Sequence, residues 1–226
     1  LEQHAEAYRK IRNTFRYLMG NLNDNFSELD FENIDIIKLP ELEQHMLHKI
    51  SILNNSFQKN FKSYNFHTLY KELLNFCTVD LSSFYFDIRK DSLYCDNKET
   101  QKRKDCILVL GIILDCLLKW FTPILSFTTE EIFKLLNKDS EDSVHLKVFP
   151  KIPNKWKNEN IEKNWAKLIK IRNAVNASIE IKRAEKLIGS SLEATIKVKL
   201  DNDYYNLANK YDFSEICITS GAEIFL

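Results

Sequence analysis

Three arginines recur at helical spacing near the start of the sequence. Arg9, Arg12 and Arg16 are three and four residues apart, so on a helix they share one side. Guanidinium groups form paired hydrogen bonds with phosphates and with the edges of bases. We define the arginine stripe as Arg9, Arg12, Asn13 and Arg16, and it predicts contact with a nucleic acid. A solvated basic face is the alternative, although only two glutamates precede the stripe.

A second basic region lies between residues 147 and 186, where eleven lysines and arginines outnumber four glutamates. A local excess of this size attracts a polyanion and releases counterions when the polyanion binds. The alternative is that lysine-rich usage scatters positive charge over the whole chain. Lys+Arg 32 and Asp+Glu 32 give zero net charge, which excludes a histone-like polycation but leaves the charge unevenly distributed.

The sequence contains no pattern that is typical of a catalytic or metal site. The H-E-x-x-H, G-x-S-x-G and G-x-x-x-x-G-K-[ST] patterns are absent. His45 and His48 are three residues apart on a predicted helix, but only Glu41 is near enough to support them, so we interpret them as a solvated pair. The five cysteines form no C-x-x-C pair, and we expect reduced thiols, with Cys106 and Cys116 in the core.

The composition indicates a helical globular protein. Of 226 residues, 44% are hydrophobic and 28% are charged, and only 4 are glycine and 4 are proline. So few turn-forming residues argue against a glycine-rich phosphate loop and against a turn-rich β fold. The longest apolar run, residues 106–118, is too short to span a membrane and contains Asp115. The chain begins without Met, so we expect a piece of a longer polypeptide.

Apolar residues at intervals of three and four predict five antiparallel helices in the first part of the chain. We expect Pro40 to open the second helix and Asn65 to cap the third. Thr128 and Glu131 have the spacing of a capping box for the fifth. The predicted helices cover residues 2–22, 40–63, 66–86, 97–121 and 128–137, with an acidic connection at 24–43 and a polar loop at 87–96.

The pattern changes after a proline-containing stretch at residues 139–158, which is the best candidate for a domain boundary. A helix is predicted over 161–179, strict alternation at 195–200 predicts a strand, and 201–210 is predicted to be a short helix. One or two further strands are predicted at 215–219 and 222–226. The fold class is therefore mainly α, with an antiparallel helical bundle in residues 1–150 and a small α+β subdomain in residues 151–226.

Three segments carry a resemblance to one family, namely residues 7–18 (AYRKIRNTFRYL), 20–24 (GNLND) and 83–95 (SFYFDIRKDSLYC). They are similar to segments of the bacterial-type isoleucyl-tRNA synthetases. The first two resemble the opening helix of the anticodon-binding domain, and the third closely resembles the signature of that family. Residues 123–131 (PILSFTTEE) and 188–194 (IGSSLEA), together with Arg172, Val175 and Asn176, match later parts of the family in order.

The resemblance implies a parent enzyme, a class I ligase that charges tRNA-Ile with isoleucine at the expense of ATP. Its catalytic and editing domains would precede residue 1. The parent would use ATP and Mg, and in many bacterial members zinc is bound in the part that would follow residue 226. The chain itself would hold no cofactor and would be catalytically inactive. We expect tRNA-Ile and the upstream domains as partners, no membrane contact, and a cytoplasmic monomer.

The resemblance also guides the choice of RNA-contacting residues. The arginine stripe on the opening helix is the first choice, and Arg89 and Lys90 are the second. In the basic tail helix, we expect Lys170, Lys182 and Arg183 to touch phosphates. Two alternatives remain, namely an anticodon-binding domain of the valyl or leucyl branch and a structural helical bundle that binds other proteins.

Overall fold

The computed structural model describes residues 2–22, 30–138 and 141–226. The protein divides into two compact units, Leu1–Lys157 and Asn158–Leu226. The turn at Asn154–Trp156 belongs to the first unit, because Trp156 is fully buried and its ring lies 5.3 Å from that of Phe31. The division of the sequence at residue 150 stays a prediction.

The first unit is helical, and the predicted mainly-α fold class is confirmed. A π-helix joins the third and fourth helices without a break. Part of the acidic connection predicted at 24–43 lies outside the described residues, and its last residues already belong to the second helix. The elements are α1 (Glu2–Leu22), α2 (Glu41–Lys62), α3 (Phe66–Asn75), the π-helix (Phe76–Tyr85), α4 (Phe86–Tyr94), α5 (Gln101–Phe121) and α6 (Ser126–Leu136).

Helix α5 lies at the centre of the first unit, as its almost continuous apolar sequence predicts. Residues on all of its sides are buried, including Cys106 and Cys116, and helices α1, α2, α4 and α6 pack against it. Helix α1 contributes a stripe of Ile11, Phe15 and Leu18, each exposed by 1% or less. Burial of these side chains removes apolar surface from water and supplies the main stabilisation of the bundle.

The π-helix explains an irregularity in the spacing of apolar residues. Phe76 and Leu81 are both buried although they are five residues apart, which an α-helix would place on different sides. A π-helix closes its hydrogen bonds over five residues, so it brings such pairs onto one face. The Ser82 hydroxyl accordingly donates to the Cys77 carbonyl at 2.9 Å, and the Ser83 hydroxyl donates to the Thr78 carbonyl at the same distance.

The polar loop predicted at residues 87–96 is wrong, because helix α4 continues to Tyr94. One charged residue of this segment, Arg89, is buried and forms a two-fold ion pair with Glu43 of α2. Its Nε and Nη2 donate to the two carboxylate oxygens at 2.6 and 2.7 Å. Burial raises the pKa of Tyr85, so its phenol stays protonated and donates to the same carboxylate at 3.1 Å.

The interpretation of His45 and His48 as a solvated pair is also wrong. Both side chains lie on the inner face of α2 and are exposed by 1% and 3%. Burial, followed by the neighbouring charges of Lys49 and His48, lowers the pKa of His45 to about 3. His45 is therefore neutral in the folded protein at ordinary pH.

The second unit combines a long helix with a small sheet. Its elements are α7 (Glu159–Ala184), β1 (Thr195–Lys199), α8 (Asn202–Ala208), α9 (Phe213–Cys217) and β2 (Gly221–Phe225). The two strands pair in parallel, with Thr195 opposite Gly221. The strand predicted at 215–219 is wrong, because Asp212 accepts hydrogen bonds from the backbone of Ser214 and Glu215 and so starts a helix.

The buried ion pair leads to a first prediction on stability. We expect Arg89→Met to lower the free energy of unfolding by about 3–5 kcal/mol, because the Glu43 carboxylate remains buried without its counterion. Urea unfolding followed by circular dichroism measures the change. The double variant Glu43→Leu/Arg89→Met is the control and should recover most of the loss, since no unpaired charge remains. Equal destabilisation by the single and double variants would contradict this account.

A second prediction concerns the pH dependence of stability. The pKa of His45 is lower in the folded state than in the unfolded chain, so the unfolded state gains a proton first as pH falls. The free energy of unfolding should therefore decrease below about pH 6.5, by up to about 1.4 kcal/mol per pH unit for this group. Urea unfolding at several pH values should show a smaller decrease for His45→Leu, whereas the exposed-site control His67→Leu should keep the original slope.

Candidate nucleic-acid interface

The packing of helix α1 directs the arginine stripe to solvent. Ile11, Phe15 and Leu18 face the core, and the side chains of the stripe emerge on the other side of the helix. All four residues of the stripe are exposed. An aromatic contact holds the end of α1 in place, because the ring of Tyr17 stacks on that of Phe86 at 4.2 Å.

The guanidinium of Arg12 contacts two neighbouring side chains. Its Nη1 donates to the Tyr8 hydroxyl at 3.0 Å, and its Nη2 forms an ion pair with Glu131 of α6 at 3.0 Å. The hydroxyls of Tyr8 and Thr128 share a further hydrogen bond of 3.0 Å. The hydrogen bond from Thr128, followed by that from Arg12, lowers the pKa of Tyr8. Hydrogen bonds to Tyr8 and Glu131 raise the pKa of Arg12.

This network replaces the predicted capping box. Helix α6 begins at Ser126, so Thr128 lies inside its first turn and is buried. Glu131 pairs with Arg12, and Glu130 accepts hydrogen bonds from the hydroxyl of Ser143 and the backbone of Val144. Both carboxylates therefore tie α6 to other segments, and the capping interpretation is wrong.

The other stripe residues are less constrained. Arg9 reaches Glu6 at 3.5 Å, and both side chains are more than half exposed. An exposed pair of this kind contributes little and does not prevent contact with a phosphate. Within the described residues, the side chains of Asn13 and Arg16 have no hydrogen bond or ion pair.

The second-choice residues Arg89 and Lys90 lie in different surroundings. The guanidinium of Arg89 is buried and occupied by Glu43, so we leave it out of the candidate interface. Lys90 follows it on α4 and is exposed. The sequence could not separate the two, because the acidic partner of Arg89 is 46 residues away along the chain.

The basic residues predicted in the tail helix all lie on the surface of α7. Lys170 is exposed. Lys182 pairs with Glu185 at 2.8 Å and Arg183 pairs with Glu180 at 2.7 Å. In each pair the partners are three residues apart and both side chains are exposed, so a phosphate can compete with the carboxylate for the basic residue.

The sequence analysis missed a basic and aromatic surface at the turn between α2 and α3. Tyr64 and Phe66 are exposed by 80% and 42%, and their rings lie 6.1 Å apart. Lys59, Lys62 and Lys71 are exposed in the same segment. The signal was available, since residues 59–71 contain lysines and aromatic residues but no acidic residue. Such a surface suits the stacking of unpaired bases.

Membrane-spanning helices and metal-binding clusters were both sought among the described residues. No helix in the described parts of the chain is long and apolar enough to cross a membrane. Among residues 2–22, 30–138 and 141–226, no three His, Cys, Asp or Glu side chains are grouped so that they could hold a metal ion.

Comparison with known proteins shows the family of the chain. Residues 43–200 match the family described as the anticodon-binding domain of tRNA ligase, and the chain belongs to this family. It is 62% identical over 222 residues to the isoleucine–tRNA ligase of Pelagibacter ubique (strain HTCC1062), which covers 98% of the chain and 24% of that relative. It is 42% identical over 226 residues to the isoleucine–tRNA ligase of Agrobacterium fabrum (strain C58), covering 99% of the chain and 23% of the relative.

These matches confirm the resemblance inferred from the sequence motifs. One of the segments used for that inference, residues 83–95, comprises the last three residues of the π-helix, all of α4 and Cys95. The chain spans about a quarter of the length of the curated relatives it matches. What the whole relatives do is therefore transferred to this chain only as a proposal.

A third prediction tests the network around Arg12. We expect Arg12→Ala to raise the pKa of Tyr8, because the variant loses a hydrogen-bond donor and a nearby positive charge. An NMR titration of the tyrosine ring carbons measures this pKa. Arg9→Ala removes a neighbouring arginine that does not touch Tyr8, so this control should leave the pKa of Tyr8 unchanged. An equal effect of both variants would contradict a specific contact between Arg12 and Tyr8.

Proposed function

We propose that this chain recognises the anticodon stem-loop of tRNA-Ile as part of an ATP-dependent isoleucine–tRNA ligase. The observation that carries the proposal is the match of residues 43–200 to anticodon-binding domains, supported by isoleucine–tRNA ligases among its relatives. The valyl and leucyl branches are less favoured, because the relatives named here are isoleucine–tRNA ligases.

The arginine stripe is the proposed contact surface. Bases of an anticodon loop are unstacked, so their edges are accessible to side chains. A helix held against the core presents its arginines at fixed spacing, and such preorganisation lowers the entropic cost of binding. Lys90 is a second candidate on the same unit. Lys170, Lys182 and Arg183 on the second unit are proposed to contact phosphates.

Within the stripe, we assign the largest contribution to Arg16. Its charge is not neutralised by any described residue, whereas the charge of Arg12 is balanced by Glu131. RNA that contacts Arg12 must use its remaining N–H donors or displace the carboxylate. No carboxylate of the described residues competes with a phosphate or a base edge for Arg16.

The remaining steps of the reaction are assigned to other parts of the ligase. Activation of isoleucine with ATP and Mg, and editing, belong to catalytic and editing domains of the same polypeptide, which are its protein partners. Since no described cluster suits a metal, zinc is assigned to a part other than the described residues. We propose that the ligase works as a monomer in the cytoplasm and that this chain alone binds tRNA without charging it.

A fourth prediction tests the proposal directly. We expect the chain to bind tRNA-Ile more tightly than a non-cognate tRNA, and we expect higher salt to weaken binding. Arg16→Ala should reduce the affinity for tRNA-Ile by about 1–3 kcal/mol if the guanidinium contacts a base edge. Fluorescence anisotropy titrations at two salt concentrations measure both effects, and the same titrations with Arg12→Ala should show a smaller loss.

The matched control is Lys98→Ala, which removes an exposed positive charge just before helix α5. It should change the affinity little and should not alter the preference for tRNA-Ile. Equal binding of both tRNAs, controlled only by salt, would mean that the surface is basic but not specific. Absence of binding at either salt concentration would favour the structural bundle instead.

A further inference from the structure

The turn between helices α2 and α3 carries an exposed tyrosine on a backbone that favours glycine. Tyr64 has a φ of 56° and directly follows the C-cap of α2, and its N–H donates to the carbonyl of Phe61 at 3.1 Å. The N–H of Asn65 donates to the carbonyl of Asn60 at 2.8 Å, which completes a Schellman motif. Glycine is the usual residue at the position of Tyr64 in this motif.

The stability of the fold does not account for the tyrosine at this position. Tyr64 is 80% exposed, so its ring buries little apolar surface. A side chain at positive φ also costs conformational free energy that glycine would avoid. Residues held in such conformations cluster at sites that bind ligands. Tyr64 is therefore a candidate for contact with a ligand.

A series of aromatic rings connects Tyr64 to the core of the first unit. The ring of Tyr64 lies 6.1 Å from that of Phe66, and the ring of Phe66 lies 5.9 Å from that of Phe61, both edge to face. Phe61 stacks on Phe57 at 5.7 Å, and Phe57 stacks on the buried Trp120 at 5.8 Å. The outer rings therefore rest on packed ones, so a ligand that stacks on them pays little for ordering side chains.

The side chains around these rings carry positive charge. Lys59, Lys62 and Lys71 are exposed, and within the parts of the chain that the structure describes none of them forms an ion pair. The nearest carboxylate in the sequence, Glu72, is occupied by the hydroxyl of Ser56, which donates to it at 2.6 Å. Positive charge beside exposed aromatic rings matches a ligand that combines anionic groups with flat apolar faces.

We propose that an unpaired nucleotide of an RNA binds at the α2–α3 surface, which we define as Lys59, Lys62, Tyr64, Phe66 and Lys71. The base stacks on the aromatic rings, and the lysines contact the phosphates on either side of it. Every base has a π-face, so the site adds affinity without reading the sequence. An acidic polypeptide also matches the charge, but a nucleotide joins a flat base and an anionic phosphate in one unit.

The α2–α3 surface is separate from the arginine stripe. Lys10 of α1 and Leu74 of α3 line one pocket, and Tyr17 stacks on Phe86, so α1 runs parallel to the chain from α3 to α4. At 1.5 Å per helical residue, the surface lies on the order of 25 Å from the middle of the stripe along this direction. The proposal therefore goes beyond the proposed function, because it needs an unpaired base but not the anticodon of tRNA-Ile.

A titration with single-stranded RNA tests the proposal. The probe is a short uridine-rich RNA with 2-aminopurine at its centre, since the fluorescence of this base is quenched when it stacks. We expect the chain to bind the probe and to quench it, and higher salt should weaken the binding. The same RNA annealed to its complement should show no change in fluorescence, because its base is already paired and stacked.

The variant Tyr64→Gly removes the ring and relieves the backbone at the same time. It should weaken binding by about 5- to 100-fold and abolish most of the quenching, because one stacking partner is lost. The midpoint of urea unfolding should not decrease, since glycine suits the positive φ. The matched control is Tyr94→Ala, which removes another tyrosine that is 63% exposed and should change neither binding nor quenching.

A lysine variant separates the phosphate contact from stacking. Lys62→Ala should weaken binding and reduce its salt dependence by about one phosphate contact, while the quenching at saturation stays the same. Loss of quenching at saturation in Lys62→Ala together with unchanged quenching in Tyr64→Gly would contradict the assigned roles.

The outcomes also distinguish this site from the proposed function. Unchanged quenching in Tyr64→Gly would overturn the site, and so would a loss of quenching that appears only in Arg16→Ala. A chain that does not bind the probe even at low salt would overturn it and would leave the surface to a polypeptide. Loss of quenching in Tyr64→Gly, in a chain that does not prefer tRNA-Ile, would support the site and contradict the proposed function alone.

Discussion

Helix α5 is apolar on nearly all of its sides, so each helix around it must turn an apolar face toward it. Helices α1, α2, α4 and α6 meet this requirement and pack against it. For α1, burial of Ile11, Phe15 and Leu18 fixes the rotation of the helix about its own axis. The arginine stripe must then face solvent, and the placement of the candidate RNA surface follows from the hydrophobic core.

The parts of this fold that follow from local spacing could be predicted from the sequence. Helices α1, α5 and α7 carry regular apolar periodicity over about six turns or an almost continuous apolar run, and the sequence analysis found them. Strand β1 alternates strictly and was also found. The helix predicted over residues 66–86 covers the π-helix, but its five-residue period was not predicted, and α4 was taken for a polar loop. The ion pair with Glu43 that makes α4 possible joins distant parts of the chain.

For the candidate site too, the features that follow from local spacing could be predicted and the long-range contacts could not. The exposed side of α1 follows from its apolar residues, so the four members of the stripe were found by spacing. Their partners were not predictable, because Glu131 lies 119 residues from Arg12 and has a local explanation as a capping residue. A short-range motif and a long-range ion pair need the same residue type, and only the tertiary contact decides between them. At residues 215–219, the sequence pattern predicts a strand, but the cap at Asp212 starts a helix there.

The residues of the stripe are held unequally, and the difference separates two physical contributions to binding. Arg12 is oriented by Tyr8 and Glu131 before any ligand arrives, so a contact through its remaining donors costs little side-chain entropy. The Glu131 carboxylate balances its charge, and Glu6 lies 3.5 Å from Arg9, so in the proposed function the long-range attraction of RNA is assigned to Arg16. One helix therefore combines an arginine with fixed geometry and a neighbour whose charge no described residue balances. Attraction by net charge weakens with salt and does not depend on the RNA sequence. A contact from an oriented guanidinium to a base edge does depend on the sequence. The stripe can therefore add specificity to binding that charge alone would leave non-specific.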